Sequence, residues 1–154
     1  MEEKDTIQVT KMSRSARREQ VFVALFISGF YEVSETDEAL SNYFDMQDYS
    51  DEIRDSILTR YRAVKEQEGT IDSLLSGLAV GWDLSRMGRA EINILRQAVY
   101  EILFDEDIPE KVAANEAVEL AKKYGGTEAS GFVNGILGKV IRKNHLLHSS
   151  EHEY

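Results

Sequence analysis

The stretch Ile108–Asn144 reads IPEKVAANEAVELAKKYGGTEASGFVNGILGKVIRKN, and its grammar is helical from end to end. Pro109 marks a helix start, because its fixed φ suits a first turn and its missing N–H removes no helical hydrogen bond there. Ala113, Ala117, Leu120, Ala121 and Tyr124 then recur at helical spacing, and Gly125-Gly126 supplies a stop. A second helix follows, with Ala129, Phe132, Val133, Ile136, Leu137, Val140 and Ile141 as its apolar positions. Gly131, Gly135 and Gly138 fall at i, i+4 and i+7, so they share one side of it. Each mid-helix glycine costs roughly 0.8–1 kcal/mol relative to alanine, so that side must admit a close approach. Two partners fit: a tightly crossing helix, or the backbone of a ligand.

Working outward, the same period covers almost the whole chain. A first helix spans Ser13 to Ser28, with Ser13 as N-cap, Gly29 as stop and an all-round apolar half, VFVALFI, suited to a buried position. A short helix around Asp37–Phe44 comes next. A third starts after Ser50 and ends at Gly69, with Ile53, Ile57, Tyr61 and Val64 on its inward stripe. Thr70 caps a fourth, IDSLLSGLAV, and a turn around Trp82 leads into RAEINILRQAVYEILFD, where Ile92, Leu95, Val99, Ile102 and Leu103 recur. No alternating strand segment emerges. The expected fold is all-α, with about seven helices in two packed helical bundles. Residues 1–12 read as a flexible N-terminus, 13–144 as a single helical domain divided into bundles of about 13–69 and 70–144, and 145–154 (HLLHSSEHEY) as a frayed tail.

Charge is strongly polarised. Residues 32–55 hold nine acids and Arg54 as their one base, so they carry −8 of the chain's formal net −10. Lys11–Arg18 (KMSRSARR) has four bases and no acid, and Lys139, Arg142 and Lys143 form a second basic cluster. Net charge is therefore a poor guide to partners. Lys11, Arg14 and Arg18 share a helix face with Arg17 alongside, although cations at a helix N-terminus oppose the macrodipole. That placement suits either a solvated face or the binding of phosphates. Phe132 reads as core or, if exposed, as a stacking platform for an unpaired base. Asn134 reads as a structural amide or as a hydrogen-bonding partner for a base edge.

Catalytic patterns are missing from the sequence. There is no cysteine, and the three histidines, His145, His148 and His152, all lie in the last ten residues. His148 and His152 have metal-like spacing but no third ligand beside them. Neither a phosphate-binding loop nor a dinucleotide fingerprint occurs, and Glu116 and Glu119 read as solvated partners of Lys122 and Lys123. The expectation is a cytoplasmic binding protein rather than an enzyme, with no cofactor, no metal and no membrane span.

Four motifs, SRSARRE at 13–19, ILRQAVYEIL at 94–103, IPEKVAANEAVELAKKYG at 108–125 and FVNGILGK at 132–139, occur in an order and spacing that resemble the NusB family of bacterial transcription antitermination factors. The resemblance covers Ser13 to about Asn144 and is strongest over Ile92–Val140. It implies an all-helical protein that binds boxA-type single-stranded RNA of ribosomal RNA leader transcripts. Binding would be joint with the ribosomal protein NusE, with loading onto the RNA polymerase elongation complex and more processive ribosomal RNA synthesis. By the same resemblance Arg14, Arg17 and Arg18 match the arginines used on RNA phosphates, Phe26 and Phe132 match RNA-facing aromatic positions, and Asn134 lies in the same motif. Glu91 matches an acidic position used on NusE. Where relatives often carry Gln and Tyr, this chain has Val23 and Phe26, which removes an amide and a hydroxyl but keeps a ring. Some relatives pair into homodimers through the face that would otherwise meet RNA. Two other readings fit less of the sequence. One is an adaptor between proteins with weak or lost RNA binding, prompted by the net acidity. The other is methyl transfer, as in related fused enzymes, for which this chain lacks the cofactor-binding half.

Overall fold

A computed structural model describes residues 8–78 and 87–151. The chain divides into two compact units, with the boundary between Lys65 and Glu66. Seven helices are formed among the described residues, and none of them is long and apolar enough to cross a membrane.

The first unit contains α1 (Arg14–Ser28), α2 (Val33–Asp45) and α3 (Asp51–Glu66). Ser13 caps α1 as its sequence requires, its Oγ accepting from the Ala16 N–H at 3.0 Å. Val21, Phe22, Ala24 and Leu25 bury one side of α1, whereas Val23, Phe26 and Ile27 are half-exposed, so the all-round apolar half is only partly enclosed. Against it pack Leu40 and Phe44 of α2. The Tyr43 hydroxyl donates to Gln20 Oε1 at 2.8 Å, tying α2 to α1. Burial pushes the Tyr43 phenol above its ordinary pKa, with Glu19 adding to the rise and the Gln20 bond opposing it. Ile53, Ile57, Tyr61 and Val64 are all buried, as the stripe on α3 predicts. Val9 forms an isolated parallel bridge with Tyr49, donating to the Asp48 carbonyl and accepting from Ser50 N–H, so the chain is already anchored before α1.

The second unit is built around α5 (Arg89–Phe104), which packs on α4 (Glu68–Leu78), α6 (Glu110–Tyr124) and α7 (Ala129–Glu151). Being surrounded, α5 buries residues on nearly every side, including Ile92, Ile94, Leu95, Ala98, Val99 and Ile102. Arg96 clamps α4: its Nε and Nη2 donate to the two carboxylate oxygens of Asp72, each at 2.9 Å. Burial works against the Arg96 charge, but the Asp72 bond and the nearby Glu68 and Asp72 carboxylates outweigh it and raise its pKa. Small residues Ala113, Ala117 and Ala121 of α6 admit α7, which answers with Val133, Ile136, Leu137 and Val140.

Several boundaries differ from the sequence reading. Helix α2 starts at Val33 rather than near Asp37, because the Glu32 carbonyl accepts from Glu35 N–H, Thr36 N–H and the Thr36 hydroxyl. Gly69 does not end α3, and Thr70 does not cap α4; the break falls at Gln67, whose carbonyl accepts from Ile71 N–H at 2.9 Å. Tyr124 is exposed rather than inward. The last helix continues past Asn144 to Glu151, since the Asn144 amide donates to Glu110 Oε2 and His145 Nε2 meets Glu110 Oε1. The turn expected around Trp82, the end of the fourth expected helix, and His152 lie outside the described residues.

Candidate nucleic-acid interface

The basic start of α1 is sorted by its surroundings into three different arginines. Arg14 is exposed, as is Lys11. Arg17 is half-buried, and its Nη1 donates to Ser56 Oγ on α3 at 3.0 Å. Ser56 in turn donates to the Ile53 carbonyl, so Arg17 is held in a fixed pose on α3. Arg18 is only 9% exposed. Helical spacing places Arg14 and Arg18 on one side, yet a single turn carries that side from solvent into the interior.

Phe26 lies twelve positions beyond Arg14, roughly 18 Å along the helix at 1.5 Å per residue. Its ring stands in a row, 5.9 Å from the Phe22 centroid and 5.2 Å from that of Phe30 in an edge-on contact. It is half-exposed, so one edge remains open to a ligand.

In the second unit, α7 resolves the alternative left open by its glycines. A Cβ added at Gly131 or at Gly135 would meet nothing within 4 Å, and at Gly138 it would meet the guanidinium of Arg142, 3.3 Å away. Among the described residues no helix crosses there. Gly131, Asn134 and Gly135 are exposed, Phe132 is half-exposed, and Val133, one position on, is fully buried. The face is thus a smooth, side-chain-poor strip that ends in the exposed Arg142 and Lys143. Lys139 is committed elsewhere, donating to the Leu78 carbonyl at the end of α4, where a cation suits the helix dipole.

Glu91 occupies the first turn of α5, where the helix dipole favours an acid. Its carboxylate folds back over Gly88, where an added Cβ would collide with it. The same carboxylate approaches Gly125, so Glu91 brings the start of α5 and the α6–α7 turn together. Among the described residues no group of three or more His, Cys, Asp or Glu side chains is arranged to hold a metal ion.

The structure therefore gathers Arg14, Arg17 and Arg18 at one end of α1 and Phe26 near the other, within the first unit. It places Glu91, Phe132 and Asn134 in the second. What the sequence reading missed was exposure: the helical period assigns a residue to a face but does not say what lies opposite that face.

Comparison with known proteins bears on the chain as a whole. The NusB family model matches residues 15–142. A transcription antitermination protein NusB from Lachnoclostridium phytofermentans is 45% identical over 131 residues, covering 84% of this chain and 99% of that protein. Among solved structures, NusB of T. maritima superposes with a TM-score of 0.74 at 34% identity, covering 86% of this chain and 92% of that one. A structure of the antitermination factors NusB and NusE in complex with double-stranded RNA shares the fold, with a TM-score of 0.70 at 21% identity over 84% of this chain and 96% of that one. With the motifs, the seven helices and these matches in agreement, the chain belongs to the NusB family of transcription antitermination proteins.

Proposed function

We propose that this protein binds boxA-type single-stranded RNA of ribosomal RNA leader transcripts jointly with the ribosomal protein NusE. In the cytoplasm the assembly would load onto the RNA polymerase elongation complex and suppress premature termination. The observation that carries this reading is the outward face of α7, where Gly131, Asn134 and Gly135 are exposed and none of the described residues fills the space beside the two glycines. Two mid-helix glycines there forgo roughly 1.6–2 kcal/mol of helix propensity. Among the described residues nothing packs on these glycines to compensate for it, whereas an RNA backbone lying against the strip would.

The roles follow from exposure. Arg14 and Arg17 hold phosphates, Arg17 from a pose fixed in advance by Ser56. Arg18, largely buried, acts through its charge more than by contact. The half-exposed rings of Phe132 and Phe26 offer stacking surfaces, and the Asn134 amide reads a base edge. Glu91, at the junction of α5 with the α6–α7 turn, meets NusE. Two weak RNA surfaces joined in one complex gain affinity through effective concentration, without chemistry at the site. A homodimer that covered the same face would compete with RNA. The related structure solved with NusE and RNA supports the choice of partners.

A gel-shift titration with a boxA-type RNA, with and without NusE, tests the reading. Binding is expected to be stronger in the joint complex and to weaken steeply with salt. Arg14→Ala with Arg17→Ala should reduce joint affinity by about tenfold or more, equivalent to ~1.4 kcal/mol. Absence of RNA binding under both conditions sinks the proposal.

A further inference from the structure

The end of α1 opposite its basic start carries a different surface. Every residue from Gly29 to Glu35 is exposed, and three of them are large and apolar: Phe30 at 56% exposure, Tyr31 at 48% and Val33 at 93%. Isolated exposed apolar side chains are ordinary, but three within four positions make a patch. Nor is the turn loose. Gly29 N–H donates to the Phe26 carbonyl at 3.2 Å and Phe30 N–H to Ile27 at 3.0 Å, while the Glu32 carbonyl accepts from Glu35 N–H at 2.9 Å. The Phe30 ring is braced edge-on against Phe26. Rigid aromatic side chains held out to solvent are the kind of anchor that dominates protein–protein affinity, since little entropy is lost when they bind.

Charge decides what such an anchor can receive. Glu32, Glu35, Asp37 and Glu38 surround the patch, all exposed, and none of the four forms an ion pair among the described residues. From Glu19 to Ile53 the sequence contains no lysine, arginine or histidine. The first base after that gap, Arg54, is already engaged, its Nη1 2.7 Å from Asp45 Oδ1. Among the described residues the local field is therefore negative, with no ion pair to offset these four acids, and such a field repels RNA and anionic lipid. Aromatic faces beside free carboxylates suit guanidinium groups, which stack on rings and form paired hydrogen bonds with carboxylates.

We propose that the α1–α2 turn, with Phe30, Tyr31 and Val33 as anchors and Glu32, Glu35, Asp37 and Glu38 as its acidic collar, docks an arginine-rich segment of a partner protein. The surface touches the proposed RNA face only where Phe30 packs on Phe26. Arg14 lies roughly 20 Å away along the same helix by its rise per residue, so one helix offers opposite charge to two ligands.

The test uses the full chain and a fluorescein-labelled peptide of four Arg-Gly-Gly repeats, followed by anisotropy and by ¹H–¹⁵N shift mapping. Binding should weaken with salt, and the lysine version of the peptide should bind less tightly. Shifts should concentrate on residues 29–38. Phe30→Ser with Tyr31→Ser alters no charge and should weaken binding at least tenfold. Val33→Ser, which touches no ring contact and cannot disturb Phe26, should weaken it two- to fivefold. Glu106→Gln with Asp107→Asn, which removes two exposed acids of the second unit, should leave affinity within twofold. Unchanged affinity in both the aromatic pair and Val33→Ser, or shifts spread evenly over all acidic surfaces, overturns the proposal, because only generic attraction to an acidic protein would then remain. Binding of boxA-type RNA by Val33→Ser should match that of the parent, which separates this surface from the RNA face.

Discussion

Helices α6 and α7 are neighbours in one unit and bury comparable stripes, yet their outward faces follow opposite rules. On α6 the solvent side carries Lys111, Asn115, Glu119 and Lys122, with Lys122 and Glu119 paired at 3.6 Å. That is the ordinary dress of an amphipathic helix, and solubility explains it. On α7 the corresponding side carries Gly131, Asn134 and Gly135, all exposed, and among the described residues nothing lies within 4 Å of a Cβ added at either glycine. The inner faces report on folding. Only the outer face of α7 calls for a cause outside the fold, and that contrast is sharper evidence for a binding surface than any residue type taken alone.

The largest effects should come from the inner faces, where the two helices ought to behave alike. Leu137 is fully buried, and Leu137→Ala should destabilise the protein by about 2–5 kcal/mol. Leu120, which retains slight exposure, should fall toward the lower end of that range. Urea unfolding of both variants checks this, and a negligible effect at Leu137 would break the premise that α7 is scaffold on its inner side. Next in size is Gly125, where glycine is required by crowding. An added Cβ would lie 2.5 Å from Ala129 Cβ and 2.9 Å from the Ala121 carbonyl oxygen. Gly125→Ala should therefore cost about 1–3 kcal/mol, as overpacking does.

Reading α7 from its sequence alone shows what is and is not legible. The stripe of Val133, Ile136, Leu137 and Val140 was plain, since a period of 3.6 residues reports which side is buried. The same holds for Ile53, Ile57, Tyr61 and Val64 on α3, and for the Ser13 cap. Gly69 misled because glycine is a common stop, whereas in the first turn of α4 it costs little. The three arginines could be placed on α1 but not ranked, because burial of Arg18 and the Arg17–Ser56 bond depend on residues far along the chain. For the glycines the helical period implies a penalty without a cause, and only the fold separates a crossing helix from open space. The exposed Phe30–Val33 turn left no sequence signal distinguishing it from core.

A smaller and opposite effect belongs to the open glycines. Gly131→Ala and Gly135→Ala find room for their methyl groups, so each should stabilise the protein by about 0.8–1 kcal/mol. The double variant should at the same time bind boxA-type RNA with NusE about tenfold more weakly, ~1.4 kcal/mol, because the added methyl groups hold the RNA backbone off the helix. Stability rising while RNA affinity falls is a signature that no purely structural role for these glycines produces. Retained affinity in the more stable variant would show that RNA does not approach this face.

The smallest effect is expected on the outer face of α6, and it sets the scale for all the others. Lys122→Ala removes an exposed i,i+3 ion pair with Glu119 and should change stability by no more than about 0.5 kcal/mol. Because it also deletes a positive charge from the second unit, it is the fair control for generic attraction between RNA and any cation. RNA affinity within twofold of the parent sets the outer face of α6 apart from α7 and α1. A loss as large as that of the glycine pair would mean the two outer faces do not differ in function, and the contrast between them would reduce to helix propensity alone.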